Sequence, residues 1–130
     1  MVSQMRTQRI ADRIFEELST ILLMEVSDPR LGSASITKVR VDRELAYANV
    51  YVSSIEGSKV ADEILDGLKH ASGFLRRELA HRIQLRSFPR LRFYWDPTPE
   101  RADHIDKLIA SLPGDDTLPS SEAPLEKENE

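Results

Sequence analysis

The sequence predicts an α+β fold in which helices pack on one face of a three-stranded mixed sheet. Two long segments carry apolar residues every three or four positions, which is the spacing of one helix face. Three shorter segments rich in β-branched and aromatic residues alternate apolar with polar residues, as half-buried strands do. The chain of 130 residues has no cysteine, and it is long enough to bury one core without disulfides or zinc.

The first helix is predicted over residues 4–25. Ile10, Ile14 and Leu18 recur there at helical spacing, and Ser3 is a suitable cap for the first turn. The following segment SDPRLG ends the helix, because a proline disfavours helical backbone in the residue before it.

Two strands are predicted next, and the short link DREL joins them as a hairpin. In SASITKVRVDREL the alternation places Val39 and Val41 on one face and Ile36 on the opposite face. In AYANVYVSS the two valines share one face of the strand and the two tyrosines share the other.

A second long helix is predicted over residues 59–83, with Ile64, Leu68 and Leu75 on its buried face. The segment RLRFYWD forms the third strand, in which Leu, Phe and Trp face one way and the arginines and tyrosine the other. Since a helix connects the second and third strands, we expect them to pair in parallel through a right-handed crossover.

Residues 1–112 are predicted to form one domain that ends in a short helix over residues 99–112. Residues 113–130, rich in Pro, Ser, Asp and Glu, are predicted to be a disordered acidic tail. The net charge of −4 hides a strong separation, since residues 111–130 carry six acids and one lysine. Residues 68–92 carry seven bases and one acid, a net charge of +6, which is typical of a surface that binds a polyanion.

Nothing in the sequence points to catalysis. It contains no P-loop, dinucleotide-binding, nucleophile-elbow or zinc-protease motif, and its three histidines lack metal-ligand spacing. We therefore predict no catalytic residue, no metal and no cofactor. The N-terminal segment lacks the apolar core of a signal peptide, and no apolar run is long enough to span a bilayer. A cytoplasmic monomer without a membrane partner is the resulting expectation.

One glycine, Gly73, lies in the middle of the second long helix. On a helical wheel it falls opposite the apolar stripe, between Lys69 and Arg76 on one side and Arg77 on the other. A glycine there costs about 1 kcal/mol relative to alanine. Either it allows a kink that fits the helix to the sheet, or it lets the backbone approach a phosphate while the bases supply charge.

Several segments, in this order along the chain, resemble the ribosome-binding factor A family. RTQRIADRIFEELSTIL is similar to its first helix, SDPRL to the next loop, AYANVYVSS to its second strand and GFLRRELAHRIQLRSFPRLRFYWD to its basic segment and last strand. Ala71-Ser72-Gly73 resembles the Ala-x-Gly helix break that stands in that family for the GXXG loop of KH domains. The resemblance covers about residues 3–109. It implies a type II KH-like domain with the order α-β-β-α-α-β, kinked at the break.

The resemblance also implies a function. Members of the family are non-catalytic assembly factors that bind the small (30S) ribosomal subunit and its 16S rRNA late in maturation. It further implies support for 5′-end processing of the rRNA precursor, a role in cold adaptation, and release with the help of a ribosome-associated GTPase. The isoelectric point near 5.4 is more acidic than the family leads us to expect, mainly because of the tail.

The resemblance implies an RNA-binding set made of the modified KH element, the cations beside it, a basic strip that follows it and one face of the first helix: Ala71, Ser72, Gly73; Lys69, Arg76, Arg77; Arg82, Arg86, Arg90, Arg92; Arg6, Arg9, Arg13. For the arginines of the first helix the alternative is ion pairing with an acid three or four residues ahead, Asp12 or Glu17. The wheel places Arg82 near the apolar stripe. Tyr94 could stack a base, although an exposed strand residue is the simpler interpretation.

Two other functions fit parts of the sequence. The basic strip could bind an acidic protein partner, which would make the chain a protein–protein interaction module. A ribonuclease acting on the rRNA precursor is the third hypothesis, but the sequence offers no nucleophile, metal cluster or acid–base pair for it. The acidic tail either screens the basic strip when RNA is absent or aids solubility, and we favour solubility.

Overall fold

The computed structural model describes residues 3–110 of the chain. Its helices and strands are α1 (Gln4–Met24), β1 (Ala34–Val41), β2 (Tyr47–Ser54), α2 (Ala61–Arg82), β3 (Arg90–Trp95) and α3 (Thr98–Ala110). The part of the chain up to Glu100 forms one unit, and the residues from Arg101 onward belong to a second. The acidic tail predicted over residues 113–130 lies outside the described residues.

The three strands form one mixed sheet in the order β1-β2-β3. β1 and β2 pair antiparallel as the predicted hairpin, and β2 pairs with β3 in parallel. Val50 at the centre lies opposite Val39 on one side and Phe93 on the other. A parallel pair needs a long connection, which α2 supplies. The α+β class and the mixed sheet predicted from the sequence are confirmed.

The register of β1 shifts between Ile36 and Lys38, so that Thr37 is an extra residue in a β-bulge. The extra residue reverses the alternation, and Ile36 is buried on the core side together with Val39. The prediction that Ile36 faces away from the core is wrong, because strict alternation along one strand cannot anticipate a bulge.

Helix α1 begins and packs as its sequence predicts. The hydroxyl of Ser3 accepts a hydrogen bond from the backbone N–H of Arg6 at 3.1 Å, which satisfies one of the free donors of the first turn. Ile14, Leu18 and Ile21 are fully buried in the core that α1 shares with the sheet and α2. Each such side chain contributes about 1.5–3 kcal/mol when it leaves water.

Helix α2 is one continuous helix over Ala61–Arg82, and the break predicted at Ala71–Gly73 does not divide it. Leu68 before this position and Leu75 and Leu79 after it are all fully buried, so both halves are held on the sheet. The cost of one helical glycine, about 1 kcal/mol, is smaller than the gain from burying even one of these leucines. The two-helix arrangement implied by the resemblance is therefore corrected to a single helix.

A second glycine of α2, Gly67, lies beneath the short 3₁₀ turn Pro29–Leu31. A Cβ atom here would lie 2.9 Å from Cδ2 of Leu31 and 3.4 Å from Cβ of Arg30, which leaves no room for it. The turn itself is held by Asp28, whose carboxylate accepts hydrogen bonds from the backbone and the guanidinium of Arg30 at 2.9 and 2.7 Å. Gly67 thus allows the loop after α1 to pack directly on α2.

Candidate nucleic-acid interface

The C-terminal half of α2 and the loop after it enclose a groove of about 480 Å³, here called the α2 groove. Its lining includes Gly73, Arg76, Arg77 and Ala80 from the helix and Leu85 and Arg86 from the loop. The loop returns toward the helix because Phe88 and Pro89 are buried at its end. The fold thus brings together four of the residues predicted to bind RNA.

Arg76 holds the loop in place. Its Nη2 donates a hydrogen bond to the carbonyl oxygen of Phe88 at 2.6 Å, and its Nε donates to that of Pro89 at 3.3 Å. Both carbonyls belong to the loop just before β3, and the fork of a guanidinium suits two such acceptors. Arg76 therefore positions the wall of the groove.

The other cations of this region are free of carboxylates. Arg77 and Arg86 are exposed, and neither forms an ion pair with a described side chain between residues 3 and 110. Lys69, one helical turn before Gly73, is exposed and unpaired within the same range. Their donors remain available for a phosphate, which guanidinium groups bind with paired hydrogen bonds.

Gly73 lies exposed among these cations, with half-buried Ala71 and Ser72 before it. A Cβ atom on Gly73 would meet only Nη1 of Arg77, at 3.6 Å, which is an ordinary van der Waals contact. The packing around Gly73 does not require a glycine. The open space leaves room for the close approach of a ligand, which is one of the two explanations that the wheel left open.

Arg82 forms ion pairs within the protein. Its guanidinium contacts Glu25 at the end of α1, Glu17 on α1 at 3.4 Å and Glu78 one turn earlier on α2 at 3.8 Å. The hydrogen bond to Glu25, with further help from Glu17, raises the pKa of Arg82. Three carboxylates offset its charge, so we leave Arg82 out of the candidate interface.

The three arginines of α1 have different surroundings. Arg13 pairs with Glu17 at 3.4 Å and donates to the backbone carbonyl of Arg82 at 3.0 Å. Arg9 contacts a methionine sulfur one turn earlier at 3.5 Å, and Arg6 has no ion-pair partner among the described residues. The predicted ion pairing holds for Arg13 and not for Arg9, whose expected partner instead accepts from a glutamine.

Arg90 and Arg92 lie on the face of the sheet opposite the helices. Leu91 and Phe93 pack against the core, so the alternation of β3 turns the two arginines outward. The predicted basic strip is therefore divided between two surfaces of the molecule. The alternation was visible in RLRFYWD, but a count of bases along the chain does not distinguish the two faces.

The sequence analysis also did not predict the contacts of the Arg92 side chain. Its guanidinium carbon lies 3.8 Å over the ring of Tyr47, and its Nε donates to the side-chain oxygen of Asn49 at 2.9 Å. Both partners come from β2, and the tyrosine alternation of that strand was the available signal. Arg92 is thus fixed in orientation, unlike Arg77 and Arg86.

The lining of the α2 groove combines three arginines with small and apolar residues. Its lining contains no His, Asp or Glu. No group of three potential metal ligands exists among the described side chains of residues 3–110. Within that range no helix combines the length and the apolar character needed to cross a membrane.

Comparison with known proteins gives consistent matches. The sequence profile of ribosome-binding factor A matches residues 6–109. A protein from Aromatoleum aromaticum named ribosome-binding factor A is 40% identical over 111 residues, which cover 85% of this chain and 87% of the relative.

Two structures of ribosome-binding factor A share the fold of this chain. The crystal structure of ribosome-binding factor A from Thermus thermophilus has a TM-score of 0.62 at 25% identity, covering 68% of this chain and 93% of that one. A homology model of the same factor, fitted into a cryo-electron-microscopy map of its complex with the 30S subunit, has a TM-score of 0.53 at 28% identity. That match covers 64% of this chain and 87% of the other.

Proposed function

Since this chain belongs to the ribosome-binding factor A family, we propose that it is a non-catalytic assembly factor that binds the small (30S) ribosomal subunit through its 16S rRNA. The observation that carries the proposal is the family match over residues 6–109. The Thermus thermophilus homology model fitted into the map of a 30S complex supports the choice of partner. The α2 groove supports rRNA as the ligand, because it offers exposed cations to phosphates.

In this proposal Arg77 and Arg86 contact phosphates, and Lys69 adds a third positive charge one turn away. Gly73 lets the sugar–phosphate backbone come close to the helix, because no Cβ stands in the way. Arg76 keeps the loop that carries Arg86 in position through the carbonyls it binds.

The timing of binding, its role in rRNA processing and the release of the protein are proposed from the family resemblance. Binding takes place late in maturation of the subunit and supports 5′-end processing of the rRNA precursor, most of all in the cold. A ribosome-associated GTPase helps to release the protein. It acts as a monomer in the cytoplasm, where ribosomal subunits are assembled.

Charge reversal in the α2 groove tests the proposal. Arg77→Glu combined with Arg86→Glu removes two phosphate donors and leaves Arg76 intact. Each charge-assisted hydrogen bond is worth about 1.5–3 kcal/mol, so co-sedimentation with small subunits should weaken about tenfold or more. The matched control, Arg43→Glu with Lys59→Glu, makes the same charge change at exposed residues outside the groove and should bind almost like the wild type.

Equal binding by the two double variants would contradict the groove as the interface. Ribonuclease treatment of the isolated complex tests the ligand class, since digestion of the rRNA should release the protein. Association that survives full digestion would favour the protein–protein interaction module.

A further inference from the structure

The face of the sheet opposite the helices, here called the outer sheet face, is built from aromatic rings and cations. Alternation along β2 and β3 places three rings on it: Tyr47, Tyr51 and Tyr94. The strand pairing places four cations beside them: Lys38, Arg40, Arg90 and Arg92. Helices α1 and α2 pack on the other face, so they leave these side chains uncovered.

The rings form an ordered surface. Tyr51 and Tyr94 lie opposite each other on neighbouring strands and stack with their centroids 5.5 Å apart and their planes at 29°. Nζ of Lys38 lies 4.9 Å over the ring of Tyr51. Tyr94 is 40% exposed, and among the described residues no cation lies over its ring. Its ring is therefore the open end of a stack.

Two carboxylates at the ends of this face are already occupied. Asp42, at one end, accepts hydrogen bonds from two backbone N–H groups at the start of β2 at 2.9 and 2.8 Å. Asp96, at the other end, accepts from the hydroxyl of Thr37 at 2.6 Å and from a backbone N–H at 2.9 Å. Arg40 and Arg90 form no ion pair with another described residue. Unpaired positive charge thus remains on both edge strands.

We propose that the outer sheet face binds an unpaired RNA strand, with a base stacked on Tyr94 and phosphates held by Arg40 and Arg90. Aromatic rings on a sheet, surrounded by cations, bind single strands because every base offers a flat face and every linkage a charge. Bases inside a duplex are stacked on one another, so the rings select unpaired nucleotides. The inference rests on the proposed function for rRNA as the ligand, but it uses a surface separate from the α2 groove.

A purely structural role for these rings is the competing explanation. Cross-strand ring pairs and cations over rings stabilise a sheet that faces solvent. This role explains Arg92 over Tyr47 and Lys38 over Tyr51. It gives no function to the unpaired Arg40 and Arg90, and it predicts no loss of RNA binding when the ring of Tyr94 is removed.

The test compares Tyr94→Leu with its matched control Tyr94→Phe in the full chain. Leucine keeps an apolar residue in β3 and removes the ring, whereas phenylalanine keeps the ring. The ligand is a fluorescein-labelled oligouridine of about eight nucleotides, a common site size, with an RNA duplex of equal length for comparison. Fluorescence anisotropy at low salt should show binding of the single strand weakened between about 5-fold and 100-fold in Tyr94→Leu and less than about twofold in Tyr94→Phe.

Arg90→Gln provides a second variant that leaves the stacked rings in place, and it should weaken oligouridine binding about threefold or more by removing one phosphate contact. The groove variant Arg77→Glu with Arg86→Glu should lose small-subunit binding and keep most of its affinity for oligouridine. Wild-type oligouridine binding by folded Tyr94→Leu and Arg90→Gln proteins would overturn the inference and leave the proposed function standing. Failure of the wild-type protein to co-sediment with small subunits would count against the proposed function instead.

Discussion

Gly67 and Gly73 occupy the same helix for opposite reasons. Gly67 is required by the protein, because Leu31 fills the space that a side chain would take. Gly73 has open space above it, so the packing of the protein does not account for its lack of a side chain, whereas the proposed function does. The two residues therefore allow stability to be separated from binding by the same substitution.

Gly73→Ala should make the protein more stable and a weaker binder. Alanine favours the helix by up to about 1 kcal/mol, which urea denaturation would detect as a higher midpoint at an unchanged slope. The added methyl group should reduce co-sedimentation with small subunits by obstructing the approach of the RNA backbone. Unaltered binding would show that the glycine has no part in that approach.

Gly67→Ala should lower the free energy of unfolding by roughly 1–3 kcal/mol, although alanine is the better helix former. The new methyl group would overlap the buried side chain of Leu31 and push the turn away from α2. The same denaturation experiment measures the change. A gain in stability would mean that the turn yields easily.

At the scale of elements, Arg82 ties the end of α2 to α1. Arg82→Gln should lower the Tm at low salt, because Glu25 and Glu78 would lose their cation and Glu17 would keep only Arg13. High salt should narrow the difference from the wild type by screening these charges. Small-subunit binding well below the Tm should not change.

Arg77→Gln is the matched control, since it makes the same substitution on the same helix at a residue that has no hydrogen-bond or ion-pair partner among the described side chains. It should leave the Tm almost unaltered and weaken binding. Loss of binding by folded Arg82→Gln protein would return Arg82 to the interface.

A hydrogen bond joins Thr37 in the bulge of β1 to Asp96 just after β3. It predicts that the stability of the fold depends on pH. The hydrogen bond from Thr37 lowers the pKa of Asp96 below its ordinary value of 3.8. A carboxylate with a lowered folded-state pKa stabilises the fold above its unfolded-state value, and this contribution disappears as the pH falls through the folded-state value. Thr37→Val should therefore be less stable than the wild type above about pH 4, with the difference narrowing in more acidic solution. Thermal unfolding at a series of pH values measures it, and a constant difference would contradict the role of Asp96.

Periodicity and alternation were sufficient to predict the helices and strands of residues 3–110 with small errors at their ends, because each element buries one face. The bulge at Thr37 could not be predicted, since it depends on the register against the neighbouring strand. The division of α2 that the family resemblance implied is absent for a related reason. A glycine lowers helix propensity locally, whereas the buried leucines that hold both halves act through tertiary packing.

At the scale of the whole molecule, the composition of the site was predictable and its arrangement was not. The density of bases over residues 68–92 indicated the segment that contributes the α2 groove, and the helical wheel placed Gly73 on the outer side. Two of the three acids that neutralise Arg82, Glu25 and Glu17, lie 57 and 65 residues away in the chain, where no local pattern reveals them.

The six carboxylates of the C-terminal segment are the other charged feature of the whole chain. We expect deletion of residues 113–130 to lower solubility and to change small-subunit binding at low salt by less than about twofold, because acidic residues favour solubility. Tighter binding at low salt that vanishes at high salt would show that this segment screens the cations instead.

The parallel pairing of β2 with β3 also sets an order of events during folding. Helix α1 and the hairpin of β1 and β2 come from the first 54 residues, whereas β3 can dock only after α2 has crossed the sheet. Such non-local pairing forms late, because the chain entropy of the connection is lost before the strand contacts form. The loop that lines the α2 groove directly precedes β3, and β3 carries three of the seven side chains named on the outer sheet face. Both surfaces are therefore complete only after β3 has docked. A nascent or partly unfolded chain is therefore expected not to bind RNA at either surface until β3 is in place.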